Sequence, residues 1–163
     1  MLQGDSRIRR AFNLKRCVLH AEIPMGDRKL AVAVTHLSAF SKGDGTMPLQ
    51  VEVLRAWMEE REKAGQPFIL AGDLNLLPPG DDPRRLPDPD EYRDVPNPIG
   101  LLLPRFRSAA PLDRHTYQPF GGRPDRVLDY LFVSDDIDVI DAGPAPTDLS
   151  DHLPLRATLR LPG

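Results

Sequence analysis

A short apolar segment, 68–71, runs into Gly72, and two polar residues, Asp73 and Asn75, follow it. Its flanks, Pro67 and Gly72, predict a buried strand at whose end the backbone approaches a neighbour closely. Side chains two residues apart on extended backbone share a face, so the carboxylate of Asp73 and the amide of Asn75 would project together. Such a pair can hold a hard cation or a phosphate. The alternative is a turn in which Asp73 caps its own backbone.

Four further polar residues lie at or near the ends of other predicted strands. His36 is near the end of an apolar segment, Asp129 lies inside another, and Asp151 and His152 precede the last alternating segment. An unpaired carboxylate in a strand is costly, so Asp129 requires a cation, a histidine or a solvated strand end. A histidine oriented by a carboxylate can activate water or contact a phosphoryl oxygen. With the first pair, these residues suit metal-assisted phosphoester hydrolysis, although each alone also fits a structural role.

Hydrophobic periodicity predicts the elements that position these residues. Residues 17–23 alternate, which predicts a half-buried strand with Leu19 and Ile23 on its inner face. A helix is predicted to begin with Thr46 as N-cap and to end before Gly65. The order strand, loop, helix, strand indicates a sheet packed under a helix, with ligand chemistry at one sheet edge. The other predicted elements are strands at 30–37, 68–71, 127–133, 137–141 and 155–161 and a short helix at 99–106.

Composition limits the class of protein. With 163 residues, 40% of them hydrophobic and 28% charged, the chain suits one globular domain, 1–163. A net charge of −3 excludes a strongly basic binding module. Cys17 is the only cysteine, which excludes an intramolecular disulfide and a thiolate metal cluster. No apolar run reaches the roughly 20 residues of a membrane span, and we expect a cytoplasmic protein.

A proline-rich, aspartate-rich segment, 78–97, is predicted to be a solvated loop, and we call it the acidic loop. A calcium loop is the alternative, but the required glycine and glutamate spacing is missing. Arginines scattered through and beyond this segment could form a phosphate-binding rim, although such arginines are more often simply solvated. They are Arg84, Arg85, Arg105, Arg107, Arg114, Arg123 and Arg126.

Four motifs together resemble the endonuclease/exonuclease/phosphatase superfamily, in that family's order and approximate spacing, from about residue 15 to the C-terminus. The pair Thr116-Tyr117 also resembles the family's Thr-aromatic approach to the strand of Asp129. One motif alone is weak, whereas four in order are specific. The four are Thr35-His36-Leu37, Gly72-Asp73-Leu74-Asn75, Leu128-Asp129-Tyr130-Leu131-Phe132 and Ser150-Asp151-His152-Leu153-Pro154.

The resemblance implies an α+β fold, a four-layer α/β/β/α sandwich, and Mg²⁺-dependent (or Mn²⁺-dependent) cleavage of phosphate esters. Asp73 would orient or activate the attacking water, and Asn75 would hydrogen-bond the scissile phosphate. His152 would act at the phosphate, with Asp129 as the carboxylate that orients it. These donors and the metal would stabilise charge developing on the phosphoryl oxygens.

Two further roles follow from the same resemblance. Asp151 would lie by the metal together with Asp73. His36 would stabilise the pentacovalent transition state or assist the leaving group. The implied partner is a phosphate-ester substrate, either nucleic acid, a phospholipid head group or a small phosphoester, because one scaffold in this family serves all of them.

The first part of the chain departs from the family's pattern. The family's first half normally supplies one strand with an asparagine and another with the principal metal-binding glutamate, and nothing before Arg16 resembles either. Neither Asn13 nor Glu22 stands in the right context for those roles. We therefore expect an N-terminally truncated, incomplete domain that corresponds to the C-terminal half to two-thirds of such a fold.

This truncation has expected consequences. Loss of part of one sheet would leave an apolar sheet face uncovered, which favours homo-association. Metal binding would be weak, and turnover slow or absent. A catalytically silent binding module is therefore the alternative function. A calcineurin-like metallophosphatase also uses Gly-Asp, but its Gly-Asn-His motif is missing from the sequence.

Overall fold

A computed structural model describes residues 16–39, 45–92, 97–120 and 122–163. Asn13 lies outside the described residues. The strands in this part of the chain are β1 (Val18–Met25), β2 (Arg28–His36), β3 (Phe68–Asp73), β4 (Arg107–Ser108), β5 (Asp129–Val133), β6 (Asp138–Pro144) and β7 (Leu155–Arg160). The described residues also form one α-helix, α1 (Thr46–Lys63), and three short 3-10 helices, Pro83–Arg85, Pro89–Glu91 and Pro98–Leu101.

The strands form a five-stranded sheet in the order β1-β2-β3-β5-β4 and a separate two-stranded sheet, β6-β7. Strands β2 and β3 are parallel, and the other pairs are antiparallel. A parallel pair needs a crossover connection, and α1 provides it. The predicted order of strand, loop, helix and strand is therefore present, and the ends of β2 and β3 meet at one edge.

Each face of the five-stranded sheet packs against a different layer. Helix α1 covers one face through side chains at helical spacing, which are Met47, Val51, Leu54 and Met58. On the other face, Leu30 and Val133 pack near Val139 and Leu159 of the β6-β7 hairpin. The described residues thus form a helical layer, a central sheet and a second, smaller sheet. None of the described helices has the length and apolar character needed to cross a membrane.

The prediction that Leu19 and Ile23 lie on a buried inner face of β1 is wrong. Leu19 is 67% exposed and Ile23 48% exposed, and Val34, the register partner of Leu19, is 44% exposed. Alternation correctly identifies which residues share a face. Whether another layer covers that face depends on elements distant in sequence, and the hairpin packs around Val133 rather than over these residues.

Two local predictions also need correction. The segment 99–106 is not an α-helix but a 3-10 helix, Pro98–Leu101, followed by turns and by β4. Pro104 explains this, since proline removes a backbone donor and blocks helix continuation. At the start of α1 the N-cap is Gly45 rather than Thr46. Gly45 has φ 73°, a left-handed conformation that glycine adopts without strain.

Candidate active site

Three of the predicted site residues form one row across adjacent strands. The register pairs His36 of β2 with Asp73 of β3, and Asp73 with Asp129 of β5. Paired residues project from the same face of a sheet. The three side chains, which we call the site row, therefore lie side by side at one end of the sheet, on the face that carries Ile69 and Val133.

His152 comes from the loop before β7 and lies over the site row. Its Nδ1 donates a hydrogen bond to Oδ2 of Asp129 at 2.8 Å, and its Nε2 lies 3.7 Å from Oδ2 of Asp73. The Nε2 atom of His36 lies 3.3 Å from the same oxygen of Asp73. Asp129 thus has the histidine partner that its position in a strand required, and one carboxylate oxygen of Asp73 faces two imidazole nitrogens.

Asp73 and Asn75 form a turn as well as a pair of polar groups. The backbone N–H of Asn75 donates to Oδ1 of Asp73 at 2.9 Å, and Asn75 takes a left-handed φ of 53°. Its Nδ2 donates to the carbonyl of Leu37 at 3.2 Å, which ties the turn to the end of β2. The alternative interpretation is therefore confirmed, since Oδ1 caps the turn while Oδ2 faces the histidines. The predicted extended backbone through Asn75 is wrong, because β3 ends at Asp73 and Asn75 has a left-handed φ.

Gly72 is required by the close approach of β2 and β3. A Cβ atom at this position would lie 1.9 Å from the carbonyl oxygen of Thr35, and φ is +152°. No L side chain fits that space without moving one of the two strands. The close approach expected from the sequence is therefore to the neighbouring strand, and it holds Asp73 beside His36.

Thr116 connects the start of β5 to the segment of His152. It is 1% exposed, and its Oγ1 accepts hydrogen bonds from the backbone N–H groups of Leu128 and Asp129, both at 3.0 Å. Its carbonyl accepts from the N–H of Leu153 at 2.7 Å. One buried threonine therefore positions both members of the Asp129–His152 pair.

Tyr117 and Gln118 support the same segment. The ring of Tyr117 meets the ring of His152 edge to face, with centroids 5.1 Å apart. The backbone N–H of Gln118 donates to the carbonyl of Asp151 at 2.8 Å, and its side chain donates to the carbonyl of Ser150 at 3.0 Å. The orientation of the imidazole is thus fixed from one side by a carboxylate and from the other by an aromatic ring.

The surroundings of Asp73 and His152 raise the pKa values of both groups. Burial raises the pKa of Asp73, whose side chain is 14% exposed, and the charge of Asp129 adds to this, while the N–H of Asn75 opposes it. The hydrogen bond to Asp129 raises the pKa of His152, against the opposing effect of burial. Both shifts favour the protonated forms of these two groups, and perturbed titratable groups that lie together are typical of sites with acid–base chemistry.

Three neighbouring side chains, two carboxylates and one imidazole, could together bind a cation. Among the described residues, Asp73, Asp129 and His152 offer ligand atoms that all lie within 4.8 Å of one another. Asp151 does not belong to that group; its side chain is exposed, and Oδ1 accepts from Ser150 at 3.3 Å. The expected metal role of Asp151 stays a prediction.

Glu22 lies away from the site row and His152, as its context in the sequence indicates. It pairs with Lys29 at 2.7 Å and accepts from Gln66 at 3.3 Å. Its strand, β1, approaches the site end only at Val18, which pairs with Thr35. Within the described residues, the group at the site row contains no glutamate.

Arg126 fits neither alternative given for the scattered arginines, a phosphate-binding rim or simple solvation. Its side chain is 1% exposed and pairs with Asp88 at 2.8 Å and Asp125 at 2.7 Å. Its guanidinium also lies over the rings of Tyr92 and Tyr117, at 5.3 and 4.9 Å from their centroids. Burial opposes its charge, but these hydrogen bonds raise its pKa. Its partners in the acidic loop are more than 30 residues away, so no local pattern indicates its burial.

Known proteins share this fold. The model of the endonuclease/exonuclease/phosphatase family matches residues 12–152. A search of curated proteins gave no match. Among solved structures, an endonuclease/exonuclease/phosphatase from Bacteroides vulgatus superposes with a TM-score of 0.62 at 18% identity, over 90% of this chain and 56% of that one.

Two other solved structures are similar to the chain. The mannosyl-6-phosphatase of Bacteroides thetaiotaomicron has a TM-score of 0.56 and 15% identity, over 90% of this chain and 57% of that one. D. rerio TDP2, complexed with a single-strand DNA product, has a TM-score of 0.61 and 18% identity, over 89% of this chain and 62% of that one.

The chain therefore spans only 56 to 62% of the length of these three structures. At such low identity, the similarity establishes the fold, and it confirms the predicted fold class. The described residues supply three of the four predicted layers. The family match covers most of the sequence and includes every residue of the site row and His152. The chain belongs to the endonuclease/exonuclease/phosphatase family.

Proposed function

We propose that the site row and His152 form the catalytic centre of a divalent-metal-dependent phosphoesterase. The observation that carries this proposal is the position of Asp73, whose Oδ2 faces the Nε2 atoms of His36 and His152. Acidic and basic groups around one solvent-accessible point are what the hydrolysis of a phosphate ester requires. Two similar structures, a phosphatase and a protein solved with a DNA product, are consistent with this chemistry.

In this proposal His152 is the group that contacts the phosphoryl oxygens. A carboxylate only accepts hydrogen bonds, so Asp129 holds the proton of His152 on Nδ1 and turns Nε2 toward Asp73. The raised pKa keeps Nε2 protonated to a higher pH than in a free histidine. A protonated Nε2 donates to the phosphoryl oxygen on which negative charge develops.

Asp73 would orient the attacking water and accept its proton. The N–H of Asn75 fixes the orientation of its carboxylate for this role. The side chain of Asn75 would donate to the phosphate, and the exposed ring of His36 would stabilise the transition state or assist the leaving group.

The donor set fits a hard divalent cation such as Mg²⁺, which binds through one or two carboxylates and keeps water and phosphate oxygens as its other ligands. Oδ2 of Asp129 and Nδ1 of His152 already bind each other, which leaves Asp73 as the member of the group able to turn to a cation. We propose Asp73 as a metal ligand on this geometry and Asp151 as the second ligand on the family resemblance, since Asp151 lies outside the group. A bound divalent ion would supply positive charge at the phosphoryl oxygens.

The test is hydrolysis of bis(p-nitrophenyl) phosphate and of p-nitrophenyl phosphate by the 163-residue chain, with Mg²⁺, Mn²⁺ or EDTA. We expect turnover that needs the metal and that falls about 100-fold or more in His152→Ala. His20→Ala is the control, since His20 lies on β1 against Trp57. Turnover that persists in EDTA or in His152→Ala would contradict the proposal.

A binding function without catalysis is the second candidate, and one observation favours it. No glutamate belongs to the carboxylate group of the described residues, although the family's pattern includes a metal-binding glutamate. A folded chain that binds inorganic phosphate, detected by NMR shifts of His152, but hydrolyses neither ester would support this function over catalysis.

A further inference from the structure

Arg126 is a buried cation in the segment just before β5, and it contacts the support of His152 rather than solvent. Its side chain is 1% exposed. Removing a guanidinium from water is costly unless ion pairs and hydrogen bonds satisfy it. The groups that contact Arg126 therefore show what its burial can accomplish.

These partners fix the plane of the guanidinium. Nε and Nη2 of Arg126 donate to the two carboxylate oxygens of Asp125, at 2.7 and 3.1 Å. Nη1 lies 2.8 Å from Oδ1 of Asp88 and donates to Oη of Tyr92 at 3.2 Å. A two-point bond to a carboxylate sets the orientation of a guanidinium as well as its position. Since Asp88 and Tyr92 belong to the acidic loop, the loop and the guanidinium hold each other in place.

Tyr117 lies between Arg126 and His152, in its backbone and in its side chain. Its backbone forms an antiparallel bridge to each of the two residues. The guanidinium carbon of Arg126 lies 4.9 Å from the centre of the Tyr117 ring. The same ring meets the imidazole of His152 edge to face, with centroids 5.1 Å apart. The three side chains therefore form a continuous series of contacts from the acidic loop to the candidate site.

The ring of Tyr117 restricts a movement of His152 that Asp129 alone permits. The hydrogen bond from Nδ1 to Asp129, at 2.8 Å, fixes one edge of the imidazole, but a single bond allows the ring plane to tilt about it. Edge-to-face contacts between rings have preferred angles, and these two planes meet at 71°. The direction of Nε2 therefore depends on the position of the Tyr117 ring.

We propose that Arg126 is a positioning residue for His152, that it acts through the ring of Tyr117, and that it ties the acidic loop to the orientation of the imidazole. The catalytic part of this proposal rests on the proposed function, because the direction of Nε2 affects turnover only if His152 acts at the phosphate. The orientation of the imidazole can be measured without turnover.

The substitution Arg126→Lys tests the proposal, because lysine keeps the positive charge but has no planar group to lie over a ring. The readout is the ring-proton NMR resonances of His152 in the full metal-free chain, at a pH where the imidazole is protonated in every variant. We expect Arg126→Lys to move these resonances. Arg61→Lys is the matched control, since Arg61 lies over the ring of Trp57 on α1, at 4.7 Å, and its variant should leave them in place.

The background Tyr117→Leu distinguishes an effect through the ring from a direct effect of Arg126. In that background Arg126→Lys should no longer move the His152 resonances, because the ring between the two side chains is missing. An equal movement in both backgrounds would overturn the proposal, as would unmoved resonances in Arg126→Lys or an equal movement in Arg61→Lys.

The substitution Tyr92→Phe keeps the test decisive if Arg126→Lys does not fold. It removes only the hydroxyl that accepts from Nη1 of Arg126. We expect a smaller movement of the His152 resonances, which Tyr117→Leu again abolishes. Unmoved resonances in Tyr92→Phe would then contradict the link between the acidic loop and the imidazole.

Turnover of bis(p-nitrophenyl) phosphate separates this proposal from the proposed function. Arg126→Lys should lower kcat about 10-fold and leave KM within about twofold, because a misdirected Nε2 weakens contacts made in the transition state. An unchanged kcat, or a change in KM alone, would contradict the positioning role. If the wild-type chain turns over neither ester, the proposed function fails, and the NMR comparison still decides whether Arg126 orients His152.

Discussion

The two carboxylate oxygens of Asp73 have different partners, so one oxygen can fix the orientation of the side chain while the other faces the histidines of the candidate site. Oδ1 accepts from the backbone of Asn75, which fixes the carboxylate plane. Oδ2 is then directed toward the imidazoles of His36 and His152. A carboxylate whose orientation is set by its own turn loses little entropy when it orients a water or a cation.

The pKa of His152 gives a prediction at this scale. Because its hydrogen bond to Asp129 raises the pKa above the ordinary value of 6.5, Asp129→Asn should lower it. The folded pKa lies above the unfolded one, so this contribution to folding stability is present below pH 6.5 and is lost as the pH rises through the folded pKa. The measurement is an NMR titration of the imidazole in metal-free protein.

Asp151→Asn is the matched control for that titration. Asp151 is exposed and contributes least to the shift, so its variant should stay close to wild type. Equal downward shifts in the two variants would mean that general charge, and not the hydrogen bond from His152 to Asp129, sets the pKa.

Among the individual residues, the closeness of the candidate site residues could be predicted from the sequence, but the residues that support them could not. His36, Asp73 and Asp129 could be predicted because each lies at or near a strand end, where side chains of adjacent strands meet. The burial of Arg126 could not, because its partners Asp88 and Tyr92 lie in a different loop. The contact depends on the tertiary fold and not on residues near Arg126 in the sequence.

Among the elements, β2 and β3 matter most, because their parallel pairing aligns the site row. Gly72→Ala should prevent that pairing, since the new Cβ would meet the Thr35 carbonyl at 1.9 Å. We expect a loss of about 3 kcal/mol or more in the free energy of unfolding, measured by urea denaturation.

Gly100→Ala is the control for that substitution. A Cβ atom added at Gly100 would have no neighbouring atom within 4 Å, and the residue has an ordinary φ, so the change should be close to neutral. Equal stability of the two variants would show that the strands separate without cost and that the close approach is not required.

Periodicity found the long elements and missed the short ones. Strands β2, β3, β5 and β7 follow the predicted segments closely, because each is several residues of β-branched or alternating apolar sequence. Strand β4 has only two residues, Arg107 and Ser108, and exists through its pairing with Val133 and Phe132 of β5. No local pattern specifies a pairing of that kind.

In the whole molecule, the two faces of the five-stranded sheet differ in how completely other layers cover them. Leu70, on the face under α1, is fully buried, whereas Leu19 on the opposite face is 67% exposed. Leu70→Ala should therefore cost about 2–5 kcal/mol, and Leu19→Ala less than about 0.5 kcal/mol, in urea denaturation. A large loss for Leu19→Ala would show that this face is covered in solution.

The exposed face bears on two predictions that stay untested, the incomplete domain and homo-association. Composition indicates one domain over 1–163, and the solved structures are longer than this chain. Sedimentation velocity of the wild type and of Leu19→Lys measures association through this face directly. The sequence showed which residues share the face, but the covering layer depends on elements far from it, so its exposure could not be predicted.

We propose that His152 and Asp129 act as one unit at the phosphate. A double-mutant cycle on metal-dependent hydrolysis of bis(p-nitrophenyl) phosphate, with His152→Ala, Asp129→Asn and both together, measures this coupling. Because Asp129 acts through His152, the double variant should be no slower than His152→Ala alone. A double variant slowed by the product of the two single effects would contradict the claim.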